Sequence, residues 1–297
     1  MRIIAIMSVC VLFVSVTARA ANLPADAGVF DEIAGTRSHA MGGAHRGVGT
    51  SNDTLYLNPA GMALGRRYTV ELNYGYSPFD GLSDLNISAV DSKSGPVAGG
   101  LSYTHTRGDG EGVDAGLHRI YIGFAYPLSD SIAVGITGRH VRGTFMEDGK
   151  ERDLELYTGD VGIMLKLADS FGVGVAAHNV IKEKMTRMVP LTIGAGVSFS
   201  TGAFVAAADF EFDTRDSDNE LQTYRLGAEY FVGDAFPIRV GFNNAPFTRS
   251  DGASKNEYVI TAGTGWINNG GAIAISFHRS VERPHNWGFI GSLQFFM

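Results

Sequence analysis

The stretch YTVELNYGY, residues 68–76, alternates without a break. Tyr68, Val70, Leu72, Tyr74 and Tyr76 fall on one side of an extended chain, and Thr69, Glu71, Asn73 and Gly75 on the other. A period of two over nine residues is a strand signal. The pattern returns down the chain. FVAAADFEFD (204–213) sets Phe204, Ala206, Ala208, Phe210 and Phe212 against Val205, Ala207, Asp209, Glu211 and Asp213. GAIAISFHRS (271–280) sets Ile273, Ile275 and Phe277 against Ala272, Ala274, Ser276 and His278. Fourteen such segments begin near 68, 82, 96, 117, 131, 153, 171, 189, 203, 221, 236, 256, 271 and 286. A tilted strand that crosses a bilayer needs about 9–11 residues, which these segments supply.

The connections sharpen this. Beginning with the second, every other one is tight: SKSG, LSD, ADS, STG, GDA and NNG. The others are longer and charged: RGDGEGVDAG, MEDGKERD, KEKMTRM, TRDSDNE, PFTRSDGASKN and VERPH, with SPFDG the one short member. Short periplasmic turns against longer extracellular loops are the asymmetry of a transmembrane barrel. The fold expected is therefore all-β: a 14-stranded antiparallel transmembrane β-barrel over residues 68–297, its termini on the periplasmic side. The alternative is a soluble all-β protein, a sandwich or a repeat array, with the apolar face in its core.

Residues 1–20 read as a secretory signal peptide: Arg2, an apolar run from Ile3 to Val16, then Ala18-Arg19-Ala20. Cys10 lies within it, so the exported chain has no cysteine and no disulfide. Without Arg2 and Arg19 the 24 basic residues become 22 against 31 acidic ones, a net charge of about −9. With no basic cluster interleaved with aromatics, nucleic acid is not an expected partner. Outer-membrane lipid is. Tyr76, Tyr126, Phe199, Tyr230, Trp266 and Trp287 lie near strand ends, where interfacial belts form. Among inward positions, Glu211, Arg225, Glu229 and Arg239 fall on consecutive strands, where opposite charges can pair across the ladder.

Before the first strand, residues 35–63 read GTRSHAMGGAHRGVGTSNDTLYLNPAGMA, with neither period. This tract resembles the N-terminal signature of the FadL-type outer-membrane superfamily, through Met41, Gly42, Gly43 and Ala44, then Asp53, then Asn58, Pro59, Ala60 and Gly61. The family barrel has 14 strands. The resemblance implies that residues 21–67 form a hatch folded into the barrel from the periplasmic side, with Asn58 before Pro59 held out of the helical region. It also implies a passive channel for small hydrophobic or amphipathic solutes, fatty-acid-like, leaving sideways through a gap at the third strand. Here that strand opens GPVAGGLSYTH, and Pro96, Gly99 and Gly100 mark the expected gap. One departure matters: the loops are short and charged, without the length for a greasy capture groove. In size the chain is closer to the PorV/PorQ-type branch, some members of which serve protein-secretion systems. The alternative function is thus a non-transporting secretion component or surface scaffold with protein partners.

Catalysis is not expected, nor a cofactor or a metal. The eight histidines are scattered, with no His-x-x-x-His or His-Glu-x-x-His spacing. Ser276 and His278 share a face, but an inward one with no third group assigned.

Overall fold

The computed structural model describes residues 35–79, 81–108, 116–147, 150–168, 170–181, 191–214, 221–248 and 254–297. The expected signal peptide, the first part of the expected hatch (21–34) and most of the long connections lie outside these residues. Fourteen strands form one ring: β1 (Tyr68–Ser77), β2 (Leu82–Asp91), β3 (Ala98–Gly108), β4 (Gly116–Pro127), β5 (Ile132–Glu147), β6 (Lys150–Leu167), β7 (Phe171–His178), β8 (Thr192–Ser200), β9 (Phe204–Asp213), β10 (Leu221–Val232), β11 (Phe236–Thr248), β12 (Ser254–Asn268), β13 (Gly271–Ser280) and β14 (Trp287–Phe296). Each pairs antiparallel with the next, and β1 closes on β14 through Thr69 opposite Phe296 to Tyr76 opposite Phe289. Closure removes every sheet edge.

The strand starts differ from those read in the sequence by three residues at most, at β6 and β8. One tract is corrected. MEDGKERD, expected as a loop, is mostly ladder, because β5 runs to Glu147 and β6 begins at Lys150. Antiparallel pairing needs only backbone groups, so charge in the side chains does not stop it.

The wall is inverted relative to a water-soluble protein. Glu71, Asn73, Asn86, Asp160 and Arg239 are buried, while Ile136 is 58% exposed and Phe295 55%. The polar members of each alternation point into the ring and the apolar members out. Among the described residues no helix is long and apolar enough to cross a membrane.

Residues 35–67 lie within the ring. They comprise helix α1 (Thr36–Ala40), helix α2 (Thr54–Leu57) and a 3-10 turn (Pro59–Ala63). The first packs on β11–β14, and the turn on β3–β6. Leu55, Tyr56, Leu57 and Met62 form an apolar cluster with Val90, Ala98, Tyr121 and Ala125 of β2–β4. The core of this protein is therefore inside the barrel, between the irregular segment and the wall.

Candidate functional site

The Met-Gly-Gly-Ala tract turns on two glycines in the left-handed region, Gly42 at φ +66° and Gly43 at φ +82°. A Cβ on Gly42 would stand 2.7 Å from the Phe242 backbone nitrogen, so only glycine fits in both space and conformation. The tract is pinned to the wall by Thr261 Oγ1 donating to the Ala40 carbonyl (2.8 Å) and Asn243 Nδ2 to that of Gly42 (3.2 Å). Met41 and Ala44 are buried against Ala207.

Asn58 is extended (φ −160°), as the following proline requires. Its Oδ1 accepts from Ala60 N and its Nδ2 donates to the carbonyls of Arg46 and Ile163. This corner presses on β5–β7: a Cβ on Gly135 would meet the Pro59–Ala60 backbone at 2.4 Å, and one on Gly174 the Arg46 carbonyl at 2.0 Å. Asn58, Pro59 and Ala60 thus bear on β5–β7, and Leu55 and Met62 stand behind the third strand, beneath Gly100.

The glycines expected at the gap are paired. Gly99 and Gly100 are paired with Asp91 and Val90 on one side and with Phe124 and Gly123 on the other, and Pro96 lies in the bend before β3. Two adjacent glycines do not break a ladder whose hydrogen bonds come from the backbone. One faces outward with nothing near it, and the other makes room for the inner segment.

The inward charges pair, and the pairs reach further than the wall. Arg239 Nε lies 2.6 Å from Glu229 Oε2, and Arg225 Nη2 3.1 Å from Glu211 Oε1. Each carboxylate also takes an arginine from the inner segment. Arg37 grips Glu229 with two bonds, at 2.6 and 3.1 Å, and Arg46 bonds Glu211. Arg46 lies 3.5 Å from Asp209, which also accepts the backbone N–H groups of His45 and Arg46. Arg37, Arg46 and Asp209 were not legible as partners. A further buried cluster, Asp160 with Arg139 (2.9 Å) and the Asn179 N–H (3.0 Å), ties β5, β6 and the end of β7.

Ser276 and His278 do face inward, and the third group is His39 of α1. Its Nδ1 is 2.8 Å from Ser276 Oγ and its Nε2 2.9 Å from His278 Nδ1. Ser276 is fully buried, so these bonds dock α1 and offer nothing to a substrate. Burial first, then the facing His278, push the His39 imidazole from 6.5 down to about 3. A released segment would bind a proton there that the docked one does not. Docking is therefore at full strength above the ordinary imidazole value and weakens as pH falls from there toward 3. We expect residues 35–67 to lose protection from a protease active in both neutral and mildly acid buffer as the pH is lowered. His39→Gln should flatten that dependence, and an unchanged slope in the variant would remove His39 from the effect.

No protein-family model matches the chain, and no curated protein matches it by sequence. Solved structures do resemble it. CymD, a monoaromatic hydrocarbon channel, superposes with a TM-score of 0.66 at 13% identity, over 89% of this chain and 97% of its own. The toluene transporter TbuX of Ralstonia pickettii gives 0.64 at 14%, over 88% and 97%. A Pseudomonas aeruginosa FadL homologue gives 0.59 at 12%, over 94% and 99%. At these identities the likeness establishes a shared barrel fold.

Proposed function

We propose that this chain is a bacterial outer-membrane channel through which small hydrophobic solutes pass without energy input, with residues 21–67 as the hatch. The observation that carries this reading is the inverted, closed 14-stranded ring, common in fold to channels named for monoaromatic hydrocarbons and toluene. Lipid supplies the environment in which an apolar exterior and a polar interior are both favourable. The hatch occupies a lumen too wide for wall side chains alone to fill. An apolar solute gains about 25 cal/mol per Å² by leaving the wall directly into hydrocarbon, which favours a sideways exit over release into water. Because β3 is fully paired, such an exit requires the ladder at Gly99 and Gly100 to part, with Leu55 and Met62 moving behind it.

The test is uptake of radiolabelled toluene and of a fluorescent fatty acid by a host lacking its own transporters. The full-length protein should raise uptake of at least one over the empty vector. The pair Gly99→Cys with Phe124→Cys, directly opposite across β3 and β4, should form a disulfide that lowers uptake until it is reduced. No uptake from a folded barrel sinks the channel reading. Uptake indifferent to the disulfide sinks only the exit at β3. The close packing of residues 35–67 on β5–β11 favours a second reading, a non-transporting interaction protein of the PorV/PorQ kind, which the first failure would bring forward.

A further inference from the structure

The outward face of the wall is apolar or aromatic nearly everywhere, and it departs from this over four neighbouring strands. His105 on β3 lies opposite His118 on β4, His118 opposite Arg142 on β5, and Arg142 opposite Glu155 on β6. One step toward the short-turn end, Tyr103, Ile120, His140 and Tyr157 form a second row in the same register. All sit toward the long-loop ends of their strands. Arg107 on β3 and Arg142 are exposed, and the three imidazoles are partly so. The imidazoles of His105 and His118 stack with centroids 4.6 Å apart, Tyr103 Oη is 2.7 Å from His118 Nδ1, and His140 stacks on Tyr157 at 4.4 Å. Glu155 ends the row, 3.5 Å from His140 and accepting from Tyr157, with Asp153 further along β6. At the corresponding ends of β9–β12 and β14 the outward residues are Phe210, Tyr224, Phe242, Tyr258 and Phe289. Among the described residues, outward Arg279 on β13 donates to the Pro284 carbonyl.

From this row we propose a binding surface for a phosphate-bearing lipid of the outer leaflet, a glycolipid of the lipid A kind. The inference rests on the membrane placement proposed above. Guanidinium forks and imidazole N–H groups match phosphate oxygens. Directly below them Leu101, Ile122 and Ile136 present an apolar wall suited to acyl chains. A ligand that meets both must carry an anionic head on hydrocarbon, which singles out a lipid over a free anion. A protein loop would have to enter the headgroup layer to reach the same groups.

Full-length protein is inserted into phosphatidylcholine vesicles, and its retention of added lipid A is read by mass spectrometry against dephosphorylated lipid A. The wild type should retain the phosphorylated form about tenfold more strongly, the scale of a charge-assisted contact. The variant His105→Gln, His118→Gln, Arg142→Gln should fall to the level of the dephosphorylated lipid, and Arg279→Gln should not. Equal retention by wild type and the triple variant, or no preference for phosphate, overturns the proposal. A chain that does not insert into the vesicles overturns the membrane placement instead. A heat-dependent gel shift confirms that each variant is a folded barrel.

Discussion

Arg46→Ala should release residues 35–67 from the wall. The guanidinium is 1% exposed and sits between Asp209, whose side chain is fully buried, and Glu211. Removing it leaves the buried Asp209 carboxylate without its cation and Glu211 with Arg225 alone, a change that costs about 3–5 kcal/mol when a buried pair is broken from one side. Each 1.4 kcal/mol is about a tenfold change in the docked population. Protection of residues 35–67 from hydrogen exchange should collapse while the strand ladder keeps its own. Arg46→Lys restores charge without the fork and should recover only part of the loss. Arg66→Ala, at an exposed arginine of the same segment, should do nothing. Full protection in Arg46→Ala would show that the remaining contacts, the Arg37–Glu229 pair among them, hold the segment without it.

The double variant Gly172→Ala, Gly174→Ala attacks the same docking by crowding it. A Cβ at Gly172 would lie 2.1 Å from the Gly47 carbonyl oxygen, and one at Gly174 2.0 Å from that of Arg46. Both obstacles are backbone, so neither can rotate aside. Overpacking of this kind costs about 1–3 kcal/mol per site. The barrel should still form, because Ala176, inward on the same strand, is already accommodated. Planar-bilayer recordings should show more ion conductance than the wild type, and Gly99→Ala, where nothing lies within 4 Å, should match the wild type. A double variant as tight as the wild type would mean that the segment does not seal the pore.

The ring was legible because its signal is local. Alternation in YTVELNYGY or GAIAISFHRS needs only neighbouring residues, and so does the contrast between NNG and PFTRSDGASKN. The same alternation turned Glu211, Arg225, Glu229 and Arg239 inward. It could not supply Arg37 or Arg46, which sit in a tract without a period and meet their partners across 192 and 165 residues of chain. The inward glycines were visible but ambiguous, since small residues also suit a water-filled lumen. Adjacency made Gly99 and Gly100 read as a weak point in the strand, and only the neighbours of each show that one is open and the other makes room for Leu55 and Met62.

The inner segment touches walls that face each other. In a ring of fourteen, β3 stands seven strands from β10. Leu55, Tyr56 and Met62 bear on β2–β4, and Arg37 and Arg46 are bonded to β9 and β10. A hollow cylinder squeezed from the side yields by becoming oval. One braced across its diameter, with a filling as incompressible as a protein interior, keeps its circular section. Residues 35–67 thereby act as a strut against lateral pressure, and any motion that opens a passage beside them also softens the cylinder to that pressure.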